Sequence, residues 1–315
     1  MNKDRRNFIK KISSASAALA VAGLFPEIAG ASIQKFDFKI SLAQWSLHKG
    51  FLSKQLDPLN FPVIAKNTYN LDAVEYVNQF FIDKANDQKF LKDLKTRCDD
   101  HGVKSNLIMV DLEGSLGDPD MAVGQKAVEN HYKWVEAAAF LHCQSIRVNL
   151  HGTGTADEWK KSSVRNLGKL TLFAKTHHIN VIVENHGGYS SNGQLLSEVI
   201  KEVNMPNCGT LPDFGNFCMR REKGDLYESP CVEYYDKYKG VKEMLPYAKG
   251  VSAKTFEFDA QGNETTIDYL KMFRMVKESN LSGYVGVEYE GTTMTEDAGI
   301  KATIKLLQKI KKELA

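Results

Sequence analysis

Eight times along this chain a short apolar run of strand character gives way to polar residues and then to a segment of helical period. The runs are "KISLAQWSL" (39–47), "LDAVEYV" (71–77), "VKSNLIMV" (103–110), "QSIRVNL" (144–150), "INVIVENHG" (179–187), "CGTLPDFGN" (208–216), "GVSAKTFEF" (250–258) and "YVGVEYEG" (284–291). Between them, stretches such as "DQKFLKDLKTRCDDHG" and "QKAVENHYKWVEAAAFL" place apolar residues at i, i+3 and i+4, the spacing of an amphipathic helix. Gly102 stands where a helix C-cap is expected. Alternating strand and helix predicts a parallel sheet, and eight units predict an α/β fold closed as one (β/α)8 barrel. The competing fold is an open doubly wound sheet. It favours a glycine-rich phosphate turn after its first strand, whereas this first strand continues as "AQWSLHKG". The segment after the sixth run, "FCMRREKGDLYESPCVEYYDKYKG" (217–240), is long enough to form a lid.

The first 31 residues read as a separate object. "MNKDRRNFIKK" is basic and carries the twin arginines Arg5 and Arg6, "ISSASAALAVAGLF" is mildly apolar, and "AGAS" offers a small-residue cleavage site after Ala31. The expectation is a twin-arginine signal on a bacterial periplasmic or exported protein, with residues 32–315 as a single barrel domain. Such export carries folded proteins, which suits a metalloenzyme. The apolar part is too short to span a bilayer, so no membrane span is expected in the mature protein. The 41 basic and 39 acidic residues are mixed along the chain, which argues against a nucleic-acid partner. A small-molecule partner is expected, and a homo-oligomer is left open. Cys98, Cys143, Cys208, Cys218 and Cys231 are odd in number and form no CxxC pair. An oxidising compartment permits a disulfide, but the spacing selects none.

In such barrels the chemistry lies where strands run out at the C-terminal face. Those positions hold Gln44, Trp45 and His48 on the first strand, Glu75 on the second, and Asn149 and His151 on the fourth. The fifth supplies Glu184, Asn185 and His186, and the sixth Asp213 and Asn216. The seventh supplies Lys254, with Glu257 and Asp259 beyond it, and the eighth Glu288 and Glu290. Alternation puts Glu184 and His186 on one face with Asn185 turned away, and pairs Glu288 with Glu290. Glu75 reads equally as a strand-end carboxylate paired with a lysine, and His151 as the holder of a turn. Glu184, Asp213 and Glu288 are less easily dismissed. Three ionised carboxylates in one pore repel one another, and a divalent cation removes the conflict. Oxygen ligands favour Mn2+ or Mg2+, and a histidine would admit Co2+, Zn2+ or Ni2+.

At "VIVENHGG", "LPDFGNF" and "YVGVEYEG" the chain resembles the sugar phosphate isomerase/epimerase superfamily with its xylose isomerase-like TIM barrel, over roughly residues 38–312. The resemblance implies a divalent metal held by Glu184, Asp213 and Glu288, with Glu184 and Glu288 as a catalytic acid–base pair on opposite faces of a keto sugar. Lys254 is then a catalytic group that stabilises an enediolate. Trp45, His151, His186 and Asn216 become substrate-binding groups. The chain departs from the family at "SAKT": Ser252 stands where relatives carry a metal-binding histidine, and Asn216 stands where many carry another. The function implied is a metal-dependent isomerase or epimerase of a non-phosphorylated keto sugar. The alternatives are a lyase that cleaves a 3-keto-glycoside by β-elimination, and a sugar-binding barrel without activity. An endonuclease would need more histidines and a basic groove.

Overall fold

The computed structural model describes residues 36–281 and 283–315. The expected signal segment and its cleavage point after Ala31 lie outside the described residues. The elements run β1 (Lys39–Ala43), α1 (His48–Leu52), α2 (Phe61–Tyr69), β2 (Ala73–Val77), α3 (Gln88–His101), β3 (Lys104–Val110), α4 (Met121–Phe140), β4 (Ser145–Val148), α5 (Ala156–Thr176), β5 (Asn180–Glu184), α6 (Gly193–Val203) and β6 (Cys208–Leu211). They continue with β7 (Cys218–Arg221), β8 (Cys231–Tyr234), α7 (Lys237–Met244), β9 (Gly250–Thr255), α8 (Tyr269–Glu278), β10 (Tyr284–Tyr289) and α9 (Glu296–Glu313).

Eight strands pair in parallel in the order β6-β5-β4-β3-β2-β1-β10-β9. The ends of that order meet through parallel bridges Thr210↔Ala248 and Asp213↔Ser252. Ser252 N–H donates to Pro212 O at 2.9 Å across this seam. The sheet therefore closes, and the open doubly wound alternative is excluded. The antiparallel pair β7–β8 stands apart from the barrel, inside the expected lid segment.

Two-residue alternation sorts every barrel strand. Val181 and Val183 on β5, Val251 and Ala253 on β9, and Val285, Val287 and Tyr289 on β10 face outward into the main apolar core. Ile182 joins a smaller cluster inside the barrel with Ala43, Val77, Leu107, Met109 and Leu211. The residues in phase with the interior are then Glu75, Arg147, Glu184, Ser252, Lys254 and Glu288, all buried. Gly286 shares that phase, and a Cβ there would lie 2.6 Å from Glu75 Oε2, so the glycine makes room for the carboxylate.

The helices are capped as their sequences specify. Thr155 and Glu158 form a capping box at the start of α5, and Gly102 ends α3 in the left-handed region at φ 63°. No described helix is long and apolar enough to cross a membrane.

Candidate active site

The C-terminal ends of the strands enclose a cavity of about 660 Å³. Trp45, His151, His186, Asn216, Lys254 and Glu288 line it, so each of these sequence candidates reaches the same space. Glu184 and Asp213 do not line it. They lie beneath, 1% and 0% exposed, and with Glu288 bring one oxygen each to within 4.8 Å of one another.

Each carboxylate is positioned by its neighbours. Asp213 Oδ1 accepts from the backbone N–H groups of Gly215 and Asn216, both at 2.8 Å. Asn185 points away from the pore and holds the Asp213 turn, accepting from its N–H at 2.7 Å and donating to its carbonyl. Glu184 Oε1 accepts from Asn216 Nδ2 at 3.0 Å. Glu288 Oε2 and Asp213 Oδ2 each lie 2.6 Å from the Ser252 hydroxyl.

The carboxylates are not without counter-charge. Lys254, 1% exposed, puts its ammonium 3.2 Å from Glu288, 3.3 Å from Glu290 and 3.8 Å from Asp213. Arg147 on β4 lies 2.7 Å from Glu184 Oε2 and 2.6 Å from Asp111 Oδ1. Burial works against the charge on both cations, but the surrounding carboxylates outweigh it and keep them protonated. Asp111 is likewise held low: burial opposes its charge, and the Arg147 guanidinium, with a hydrogen bond from Gln79, overcomes that.

Among the described residues two cations nevertheless face five carboxylates, Asp111, Glu184, Asp213, Glu288 and Glu290. Burial, reinforced by the charges of Glu288 and Asp213 against the pull of Arg147, pushes Glu184 up to about 8. Burial also pushes Asp213 up to about 6, with Lys254 opposing and Glu288 adding to the rise. One hydroxyl proton on Ser252 cannot serve two carboxylate oxygens at once. Glu184 Oε2 is buried with no hydrogen-bond donor among the described residues, because its Arg147 contact is an ion pair without hydrogen-bond alignment. An all-oxygen donor set with surplus negative charge and an orphaned oxygen fits a hard divalent cation.

A second group of side chains faces this cluster. Asn149 Nδ2 donates to Asp111 at 2.6 Å, and its Oδ1 accepts from His186 Nδ1 at 3.0 Å. His151 and His186 stack obliquely, 5.9 Å between ring centres. Burial pushes His151 down to about 4 and lowers His186 as well, so both are neutral imidazoles. Tyr227, from the loop between β7 and β8, meets both rings.

Arg147, Asp111 and Tyr227 were not among the sequence candidates. Arg147 and Asn149 share a face of β4, so alternation carried a signal for the arginine. Among the described residues Glu75 has no lysine partner: its Oε1 accepts from Ser41 at 2.6 Å and Asn106 at 3.0 Å, and its Oε2 has no donor there. Glu257 lies outside the site, accepting from Thr292 and Thr293, and Asp259 holds its own turn with Asn263. Trp45 stacks on His48 and Phe80 at the cavity wall.

The sequence profile of xylose isomerase-like TIM barrels matches residues 65–310, and the chain belongs to that family. A comparison with curated proteins finds no match by sequence. Among solved structures, a D-tagatose 3-epimerase-like protein superposes with TM-score 0.66 at 17% identity, covering 88% of this chain and 100% of its own. The IolI protein, solved with a zinc atom bound, gives TM-score 0.66 at 15% identity over 88% of this chain and 99% of its own. The 3-keto-D-glucoside 4-epimerase YcjR from E. coli gives 0.59 at 14% identity over 86% and 100%.

Proposed function

We propose that this protein is an isomerase or epimerase that moves a proton next to the carbonyl of a non-phosphorylated keto sugar. The observation that carries the reading is the convergence of Glu184, Asp213 and Glu288 beneath a polar cavity at the C-terminal mouth of the barrel. The sugar epimerases among the structural neighbours support the same class. Glu184, Asp213 and Glu288 would hold a divalent ion, Mn2+ or Mg2+ in preference to Co2+ or Zn2+. When bound it supplies Lewis-acid polarisation of a carbonyl oxygen.

The chain's own groups divide the remaining work. Glu288 is the member of the triad that borders the cavity, and it removes the proton. Lys254 lies 3.2 Å from it and faces the same space, so its ammonium balances the negative charge of the enediolate left behind. Glu184 returns a proton on the other face after exchanging its Arg147 contact for the substrate. His151 and His186, neutral and oriented through Asn149, take sugar hydroxyls, and Asn216 joins them from the β6 turn. Trp45 offers a flat face to a sugar ring. The protein acts after export through its twin-arginine signal.

A second reading, a lyase acting on a 3-keto-glycoside, draws on the cavity's lip. Leu112 is 78% exposed there and Leu226 faces it from the β7–β8 loop, an apolar rim that an aglycone would cover. Product analysis separates the two. Purified protein with Mn2+ is incubated with free ketohexoses and with a 3-keto-glucoside of p-nitrophenol. A new epimer supports the first reading, release of nitrophenol the second, and no turnover of either rejects both.

A further inference from the structure

The β7–β8 hairpin holds the one disulfide among the described residues, Cys218–Cys231, while Cys98, Cys143 and Cys208 are buried and free. It closes a loop 13 residues long in sequence separation. Inside that loop the chain is tied down by its own polar groups. Asp225 Oδ1 accepts from the backbone N–H groups of Tyr227, Glu228 and Ser229. Arg221 donates to the carbonyls of Leu226 at 2.8 Å and Ser229 at 2.6 Å.

The consequence is the placement of Tyr227. Its ring is half exposed, yet its hydroxyl lies 2.8 Å from His151 Nε2 and 3.3 Å from His186 Nδ1. No barrel strand supplies this group. It arrives only because the hairpin bends over the mouth, and a nearly independent two-stranded ribbon is marginal without a staple. Burial raises the phenol far above its ordinary range, so it is a hydrogen-bonding hydroxyl and not a phenolate.

We propose that Tyr227 is a positioning residue that locks the His151 and His186 imidazoles toward the substrate, and that the Cys218–Cys231 disulfide is what holds it there. The site is then complete only in the oxidised chain. Forming the bond takes two electrons and two protons from the thiols, accepted by a disulfide oxidant through thiol–disulfide exchange. Such a bond persists in an oxidising compartment. The choice of substrate rests on the function proposed above, but the placement of Tyr227 does not.

The test compares wild type, Tyr227→Phe, the double variant Cys218→Ser/Cys231→Ser, and all three changes together. Carbethoxylation of His151 and His186 by diethyl pyrocarbonate is followed by peptide mass spectrometry, with the exposed His142 as internal control. The proposal expects both histidines to react several-fold faster in Tyr227→Phe and in the double variant, with no further gain in the triple and no change at His142. Dithiothreitol reproduces the effect in wild type, and oxidised glutathione reverses it. Wherever a keto sugar is turned over, kcat falls by roughly fivefold, the worth of one hydrogen bond, with KM less affected. Unchanged histidine reactivity in the disulfide-free protein overturns the proposal. So do additive effects of the two changes, which would separate the disulfide from Tyr227. Absence of any sugar turnover in wild type rejects the sugar reading and leaves the histidine result to decide this one.

Discussion

Replacing Lys254 by Met keeps the volume of the side chain and removes its charge. The ammonium is fully buried and lies between 3.2 and 3.8 Å from three carboxylates, and two of them, Asp213 and Glu288, are buried and gain no compensation from solvent when it goes. Stripping one partner from a buried ionic network costs about 3–5 kcal/mol. For a domain of this size that corresponds to a melting temperature lower by roughly 10 °C. The loss depends on pH in a defined direction. Asp213 is already raised to about 6 and Glu184 to about 8, and both rise further without the ammonium. A carboxyl whose folded pKa lies above its unfolded value destabilises the fold as pH climbs through that window and ceases to do so once protonated. The deficit of the variant is therefore greatest at pH 8 and narrows toward pH 5. Mn2+ recovers part of it at pH 8, because the ion replaces the missing positive charge. Thermal melts of both proteins at the two pH values, with and without Mn2+, decide the point. A loss below about 1 kcal/mol, or an equal loss at pH 5 and pH 8, would refute the assignment of Lys254 as the built-in counter-charge.

Three further outcomes follow from the same geometry. Burial, partly offset by Ser41 and Asn106, pushes Glu75 up to about 7 from an ordinary 4.5. Its ionisation thus costs the fold on the order of 3 kcal/mol above neutrality, and Glu75→Gln should flatten the decline in denaturant stability between about pH 5 and pH 8. Gly286→Ala drives a methyl against the Glu75 carboxylate and should cost about 1–3 kcal/mol, an effect that Glu75→Ala largely suppresses in the double variant. Asp213→Asn removes one charged donor of the proposed ion site, and calorimetric titration should show Mn2+ affinity lowered while the apo protein melts no lower than wild type.

The barrel was legible because strand alternation and helical period are local signals, repeated eight times. The same alternation placed Glu184 and Glu288 inside and turned Asn185 outward, and the structure agrees. Arg147 escaped notice for a physical reason. In "SIRVNL" alternation puts it on the inward face with Asn149, but only its ion pairs with Glu184 on β5 and Asp111 just past the end of β3 reveal its purpose. Recognising those needs the strand register, which the sequence does not display. Asp111 continues the inward phase of Leu107 and Met109 one step past the end of β3 and was readable in principle. Tyr227 and the Cys218–Cys231 pair were not. Both depend on how one long segment folds back over the mouth, and neither apolar period nor cysteine spacing encodes that path.

Solvent exchange tests the central claim most directly. Purified protein in D2O with Mn2+ is given unphosphorylated ketohexoses and a 3-keto-glucoside, and proton NMR follows the hydrogen next to each carbonyl. The account predicts that this hydrogen is replaced by deuterium in at least one substrate, and that Glu288→Gln slows the exchange by roughly 10²-fold or more while the protein stays folded. Full retention of hydrogen in every substrate, or exchange that proceeds undiminished in Glu288→Gln, would contradict it.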